Sequence, residues 1–198
     1  NDETYFANEF EKVEFIPAFH PFKNVSIKTG KGEYVLYHGN LSVAENTNAV
    51  KFLINNVFDN VSVPFKITGL NPGKQLKTLI NGNPNIELIP NPTDEELQKL
   101  VENAHINISV TAQATGLKLK LLNTLYNGRF CLVNDKMLSG TNLDQLCIIA
   151  NDYGSMKRKI INLFKKDFTQ AEINKRKRVL TTLYNNGTNT RKLIDLVC

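Results

Sequence analysis

Short apolar runs, each followed by a turn and a helical pattern, constrain this chain more than any other feature. YVLY (34–37) precedes a turn and a helical pattern over 44–58. FKIT (65–68) precedes Gly69, Pro72 and Gly73 and a helix through Leu79. IELI (86–89) leads into NPTDEEL, where Thr93 and Glu96 have capping-box spacing and open a helix ending near Ala104. INISV (106–110) runs into ATGLKLKLLNTLYNG, and FCLV (130–133) into a polar loop and LCIIA (146–150). Helical stretches near 152–166, 169–185 and 189–197 close the chain. Continuous short apolar strands are buried on both faces, and a helix in each connection makes neighbouring strands parallel. The expected fold is α/β, a Rossmann-like parallel sheet with helices on both faces. The first thirty residues stand outside this rhythm. KVEFIPAF there holds a short strand pattern, punctuated afterwards by Pro21, Gly30 and Gly32.

Composition excludes several classes. At 198 residues, 41% apolar and 22% charged, the chain fits one large domain, or one domain with linking segments, around a real core. No apolar run nears the ~20 residues that span a bilayer, and no signal peptide is visible. Cys131, Cys147 and Cys198 have no metal-ligand spacing, and FCLV and LCII are settings for buried free thiols. That usage suits a reducing, cytoplasmic compartment. Asn-X-Ser/Thr matches at Asn24, Asn40, Asn60, Asn107 and Asn186 are expected to be unglycosylated, the one at Asn107 lying in a core strand. The sequence holds no Ser/His/Asp set, P-loop, zinc pattern or dinucleotide fingerprint, and no metal is expected. Asp94, Glu95 and Glu96 are placed as favourable charge at a helix N-terminus.

The net charge is +5, and its basic runs come late: KRK at 157–159, KK at 165–166 and KRKR at 175–178. They alternate with apolar residues at helical spacing, so solvated helix faces are expected, with a peripheral contact to an anionic membrane as the alternative. No aromatic interleaving accompanies them, which argues against nucleic acid.

In a parallel α/β sheet, ligands bind outside the carboxyl ends of the strands. Gly39, Gly69 and Gly116 fall on that rim, each opening toward a helix, where backbone N–H groups and helix dipoles favour an anion. Two lysines early in a helix oppose its dipole unless an anion lies nearby. On the helix after Gly116, the arc of Leu117, Leu121, Leu122 and Leu125 is centred near Lys118, which therefore faces inward. Lys118 is expected to meet a phosphate, and Lys120, outside the arc, to be solvated. Lys74, opening the helix after Gly73, is a second phosphate candidate. His38 at the rim is a lesser one, whereas His20 and His105 are expected to be structural.

From about Tyr34 to Leu196 the chain resembles the donor-binding C-terminal domain of a GT-B-fold glycosyltransferase of the retaining group 1, family 4-like class. YHGNLSVAENTNAV, FKITGLNPGKQLKTL, NIELIPNPTDEELQKLVENAHINISV and TGLKLKLLNTLYNGRFCLV carry the resemblance, through their order and spacing. It implies residues 1–33 as a lead-in from a preceding acceptor-binding domain, 34–168 as the nucleotide-sugar-binding domain, and 169–198 as a helical tail crossing back. The chain's start at Asn1 fits a piece of a longer protein.

The resemblance also implies sugar transfer from a UDP- or GDP-sugar in the biosynthesis of a polysaccharide or glycoconjugate, without a further cofactor. Thr115, Lys118 and Asn123 would stand at the catalytic positions. Gly39, Asn40, Gly69, Lys74, Gly116 and Leu117 would hold the donor and its phosphates, and Ile89 and Pro90 the base. The family signature places glutamates where this sequence has Thr115 and Asn123, whose neutral groups bond hydroxyls more weakly than a carboxylate does. Asn40 replaces a usual basic residue, and Glu45 stands where lysine is frequent. These departures leave two functions open: an active transferase, or a non-catalytic binding or regulatory domain of the same fold.

Overall fold

The computed structural model describes residues 5–11, 13–114 and 119–197. Its described residues contain a six-stranded, wholly parallel sheet in the order β3-β2-β1-β4-β5-β6. The strands are β1 (Val35–His38), β2 (Phe65–Gly69), β3 (Ile86–Pro90), β4 (Ile106–Ser109), β5 (Phe130–Val133) and β6 (Ile148–Ile149). Between them run α1 (Ala44–Phe52, continued by a π turn over Leu53–Val57), α2 (Lys74–Ile80), α3 (Asp94–Asn103), α4 (Leu119–Asn127) and the short α5 (Asp135–Leu138). After β6 come α6 (Tyr153–Leu163), α7 (Gln170–Leu183) and α8 (Asn186–Val197).

Core side chains divide by strand parity. Val35 and Tyr37 of β1, with Ile106 and Ile108 of β4, pack against Val50, Leu53 and Val57 on one face. Cys131 and Val133 of β5 join Leu121, Leu122 and Leu125 of α4 on the other. Each fully buried leucine there contributes about 1.5–3 kcal/mol by leaving water. The capping box of Thr93 and Glu96 forms as the spacing predicts, and Thr169 with Glu172 makes a second one at α7. Asn107 is 1% exposed, so its sequon lies inside the sheet. The Cys147 thiol is pushed well up, first by its hydrogen bond with Cys131 and then by burial, which leaves it a poor nucleophile.

Three expectations need correction. Residues 13–20 form no strand. Instead they run onto α4 and α7, with the His20 Nε2 atom 2.7 Å from the Tyr184 carbonyl and Phe22 stacked on Tyr126. Next, LCIIA yields only a two-residue strand, because Asp144–Leu146 coils into a 3-10 turn.

The late basic runs are only partly solvated. Lys157 bridges to Asp59 at 2.6 Å, Lys159 donates to the Ile149 carbonyl, and Lys175 donates to Gln145 at 2.6 Å. Arg176 is 3% exposed and donates to the carbonyls of Gly128 and Arg129, with the Leu125 carbonyl at 3.4 Å. A cation at the C-terminal end of α4 complements its dipole, and this one fastens the helix from below.

Candidate functional site: the crevice at the strand-order reversal

Strand order reverses between β1 and β4. From β1 the chain leaves through α1 toward β2, and from β4 through α4 toward β5, so the two connections part and open a crevice above the strand ends. Its floor is unusually close-packed. A Cβ on Gly69 would stand 1.7 Å from the Gly39 carbonyl oxygen, and one on Gly39 would lie 3.3 Å from the Asn46 side-chain carbon. Only glycine at 69 lets the end of β2 approach β1 this nearly. The rim glycines Gly39 and Gly69 are thus adjacent, as their sequence positions suggest.

The Asn46 side chain organises the crevice. Its oxygen accepts from the Tyr37 hydroxyl at 3.1 Å and from Lys120 Nζ at 3.4 Å, and its nitrogen donates to the Asn40 carbonyl at 3.0 Å. The Asn40 side-chain oxygen accepts from the Ser42 N–H at 3.0 Å and the Ser42 hydroxyl at 2.7 Å, which shapes the turn into α1. No side chain caps α1 at Val43, so the first N–H groups of that helix keep their affinity for an acceptor.

Lys120 was expected in solvent. It is instead half-buried, beside Asn46 and 5.7 Å from the Tyr37 ring centre, because α4 carries it over the strand ends. Glu45, in the first turn of α1, accepts from the Thr111 hydroxyl and from the backbone of Gln113 and Ala112. These bonds, the Thr111 one foremost, hold its carboxyl below the usual range, with Lys120 contributing. They also tie the loop after β4 to α1.

His38 ends β1 beneath this group and is 6% exposed. Burial, and secondarily the Lys120 charge, pushes its imidazole down to about 4, so it is neutral at ordinary pH. Its Nε2 has no hydrogen-bond partner among the described residues. A buried polar atom without a partner is a local cost to stability.

The remaining sequence candidates scatter. Thr115, Gly116, Leu117 and Lys118 lie outside the described residues. Asn123 sits one turn beyond Lys120, and its side-chain oxygen accepts from Asn127 at 2.8 Å. Lys74 is exposed at the start of α2, one strand out from the crevice. Ile89 and Pro90 close β3 at the sheet edge, where the Ile89 carbonyl accepts from Thr68 at 2.8 Å. His20 and His105 are structural: the Gly32 N–H donates to His105 Nδ1 at 3.0 Å, while its Nε2 donates to the Leu163 carbonyl at 2.8 Å. Among the described residues, no group of three or more His, Cys, Asp or Glu could hold a metal ion. No helix among them is long and apolar enough to cross a membrane.

Comparison of the coordinates with solved structures identifies the architecture. A TarM mutant from S. aureus, in complex with fondaparinux, alpha-GlcNAc-glycerol and UDP, superposes with a TM-score of 0.72 at 18% identity over 98% of this chain and 41% of its own. The fold is that of the GT-B glycosyltransferases. A glycosyltransferase involved in avilamycin A biosynthesis matches with a TM-score of 0.62 at 12% identity, over 94% of this chain and 58% of its own. A UDP-forming alpha,alpha-trehalose-phosphate synthase from Burkholderia xenovorans, in complex with glucose-6-phosphate, gives 0.59 at 13% identity over 83% and 43%. By sequence, a 44.6 kDa protein of the cps region in Klebsiella pneumoniae is 31% identical over 172 residues, covering 80% of this chain and 44% of the relative. The chain therefore spans less than half of the curated relative it matches. No family model matches the sequence. Within the GT-B fold, the crevice above β1 and β4 is the place where strand order reverses, beside the N-terminal end of α1.

Proposed function

We propose that this chain binds a nucleotide-sugar in the crevice and is the donor-binding, C-terminal half of a retaining glycosyltransferase of polysaccharide or glycoconjugate biosynthesis. The observation carrying this reading is the pairing of an uncapped α1 N-terminus with Lys120, which reaches it from α4 at the strand-order reversal. A diphosphate set there would meet N–H donors on one side and an ammonium on the other. As the sugar–phosphate bond breaks, negative charge grows on the departing nucleoside diphosphate, and pre-placed donors and cations stabilise that charge most. Lys118 and Lys74 would add to this field. Ile89 and Pro90 would border the base.

Solved proteins of the same fold include one in complex with UDP and one named UDP-forming, and the sequence relative comes from a cps region. Each supports the nucleotide-sugar reading by likeness. An acceptor-binding domain would precede residue 1, and the whole protein would work in the cytoplasm, with exposed Lys165, Lys166, Lys177 and Arg178 available to an anionic membrane surface.

A second reading, a binding or regulatory domain that transfers no sugar, is favoured by Asn123. Its side-chain oxygen is engaged by Asn127 in the same helix, where the resembling family would present a carboxylate to the nucleotide.

Calorimetry with UDP, GDP and their sugars tests the proposal. The expected result is saturable binding that weakens about tenfold on Lys120→Ala, a loss of ~1.4 kcal/mol. Absence of binding by all of them at millimolar concentration would refute it. Sugar release by the full-length protein then separates the transferase from the silent binder.

A further inference from the structure

A second concavity lies at the other end of α4. It is a groove of about 770 Å³ between the lead-in segment, α4, α7 and the start of α8. That volume falls within the range of small-ligand sites. Lys120 stands at the upper end of α4 and Tyr126, on the groove wall, six residues further on, so the two sites are ~9 Å apart along the helix axis. Nothing assigned to the crevice lines the groove.

Its chemistry is consistent along its length. Phe22 stacks on Tyr126 at 5.3 Å and 26°, and His20 stacks on Phe22 at 5.6 Å and 23°. Phe22 remains half-exposed, which leaves aromatic surface at the groove floor. Such a surface accepts the C–H face of a sugar ring or another flat group. Lys23 and Lys177 are the charged side chains lining the groove, both exposed, and no carboxylate among the lining residues opposes them. Asn24, Asn185 and Thr181 supply neutral hydrogen-bonding groups. The N-terminal end of the twelve-residue α8 opens there at Asn186 and Gly187, adding positive potential.

His20, 7% exposed, stiffens the groove wall. Its Nε2 donates to the Tyr184 carbonyl at 2.7 Å, with the Tyr126 hydroxyl 3.2 Å away. Nδ1 is buried in the groove wall and has no hydrogen-bond partner among the described residues.

From this combination we infer that the groove is a second carbohydrate site, for an acidic oligosaccharide. Sugar rings would lie on Phe22, carboxylates would point at Lys23 and Lys177, and hydroxyls would meet the Asn24 and Asn185 amides and Thr181. A neutral glycan would leave both ammonium groups unused, and a bare anion would leave the aromatic floor empty.

The test is calorimetry on the whole chain at about 50 mM salt, where screening is modest, with trigalacturonate, maltotriose and inorganic phosphate as probes. Trigalacturonate is expected to bind saturably and at least tenfold more tightly than either of the others. Lys177→Glu, an exposed substitution that leaves the core intact, is expected to weaken it at least tenfold, whereas Lys120→Ala leaves it unchanged. Equal binding of maltotriose or phosphate, insensitivity to Lys177→Glu, displacement of trigalacturonate by UDP, or no binding at all would overturn the inference. Since the crevice is probed by Lys120→Ala and nucleotide, failure here does not touch the nucleotide-sugar proposal.

Discussion

Arg176 is the buried cation on which the placement of α4 rests, and replacing it by methionine has a calculable cost. The guanidinium donates to the Gly128 and Arg129 carbonyls and stacks 4.8 Å from the Phe168 ring. Hydrogen bonds to a charged group are worth about 1.5–3 kcal/mol each, and buried carbonyls left bare cost a further 1–3 kcal/mol. Against that, methionine relieves the desolvation of a charge buried without a carboxylate partner at its head, a gain of several kcal/mol. The balance is a loss of roughly 3 kcal/mol, which for a chain of this size lowers Tm by about 6–12 °C. Arg178→Met, two residues on and exposed, is the control and should stay within about 0.5 kcal/mol. Thermal melts of both variants decide the matter. Equal Tm values for the two would show that the buried guanidinium contributes no net anchoring, and the claim that α7 positions α4 and hence Lys120 would fall with it.

Acid should expose His38. Its folded pKa of about 4 lies below the unfolded 6.5, so above pH 6.5 it is neutral in both states and adds no pH dependence. Between 6.5 and 4 the unfolded chain takes up a proton that the folded one refuses, and stability falls as pH drops, by up to about 3 kcal/mol. Denaturant midpoints at about pH 7 and about pH 4.5 should therefore differ more for the wild type than for His38→Gln; an equal difference would contradict the assignment. Gly69→Ala should force the β1 and β2 ends apart, costing about 1–3 kcal/mol or more and weakening nucleotide binding. Gly73→Ala, with nothing within 4 Å of its added Cβ, should cost at most about 1 kcal/mol through the changed N-cap of α2 and leave nucleotide binding within error, and equal loss of binding in the two variants would disprove the close-approach account.

Much of the architecture was legible because parallel strands buried on both faces read as unbroken apolar runs. FCLV became β5 residue for residue, and the Thr93–Glu96 box opened its helix on schedule. The lead-in failed because a strand pattern needs a sheet edge beside it. Residues 13–20 have none, and they bury His20 against Tyr184 instead. Arg176 was hidden in a basic run, since nothing in KRKR tells which of four cations meets the end of another helix.

At the crevice, the glycine turns could be read from strand position, whereas Lys120 could not. The helical wheel ranks faces by burial in the core, and a residue that lies over the strand ends belongs to no core face. Asn46, part of the segment that carries the family resemblance, gives no sign in the sequence of its place in the site, for a similar reason. Its three contacts join Tyr37, Asn40 and Lys120, from segments that only the fold brings together. One sequence signal does point there: Glu45 stands where a lysine is frequent in the resembling family, and its carboxylate lies within electrostatic reach of Lys120. The positive charge of this rim comes from α4 instead of α1.

The most direct test follows from that arrangement. Backbone amide NMR spectra recorded during a UDP titration should show the largest shifts at Gly39, Asn40, Asn46 and Lys120, the residues that meet where strand order reverses. Shifts clustered instead around Phe22 and Tyr126, or no saturable shifts at all, would contradict a nucleotide seat between α1 and α4.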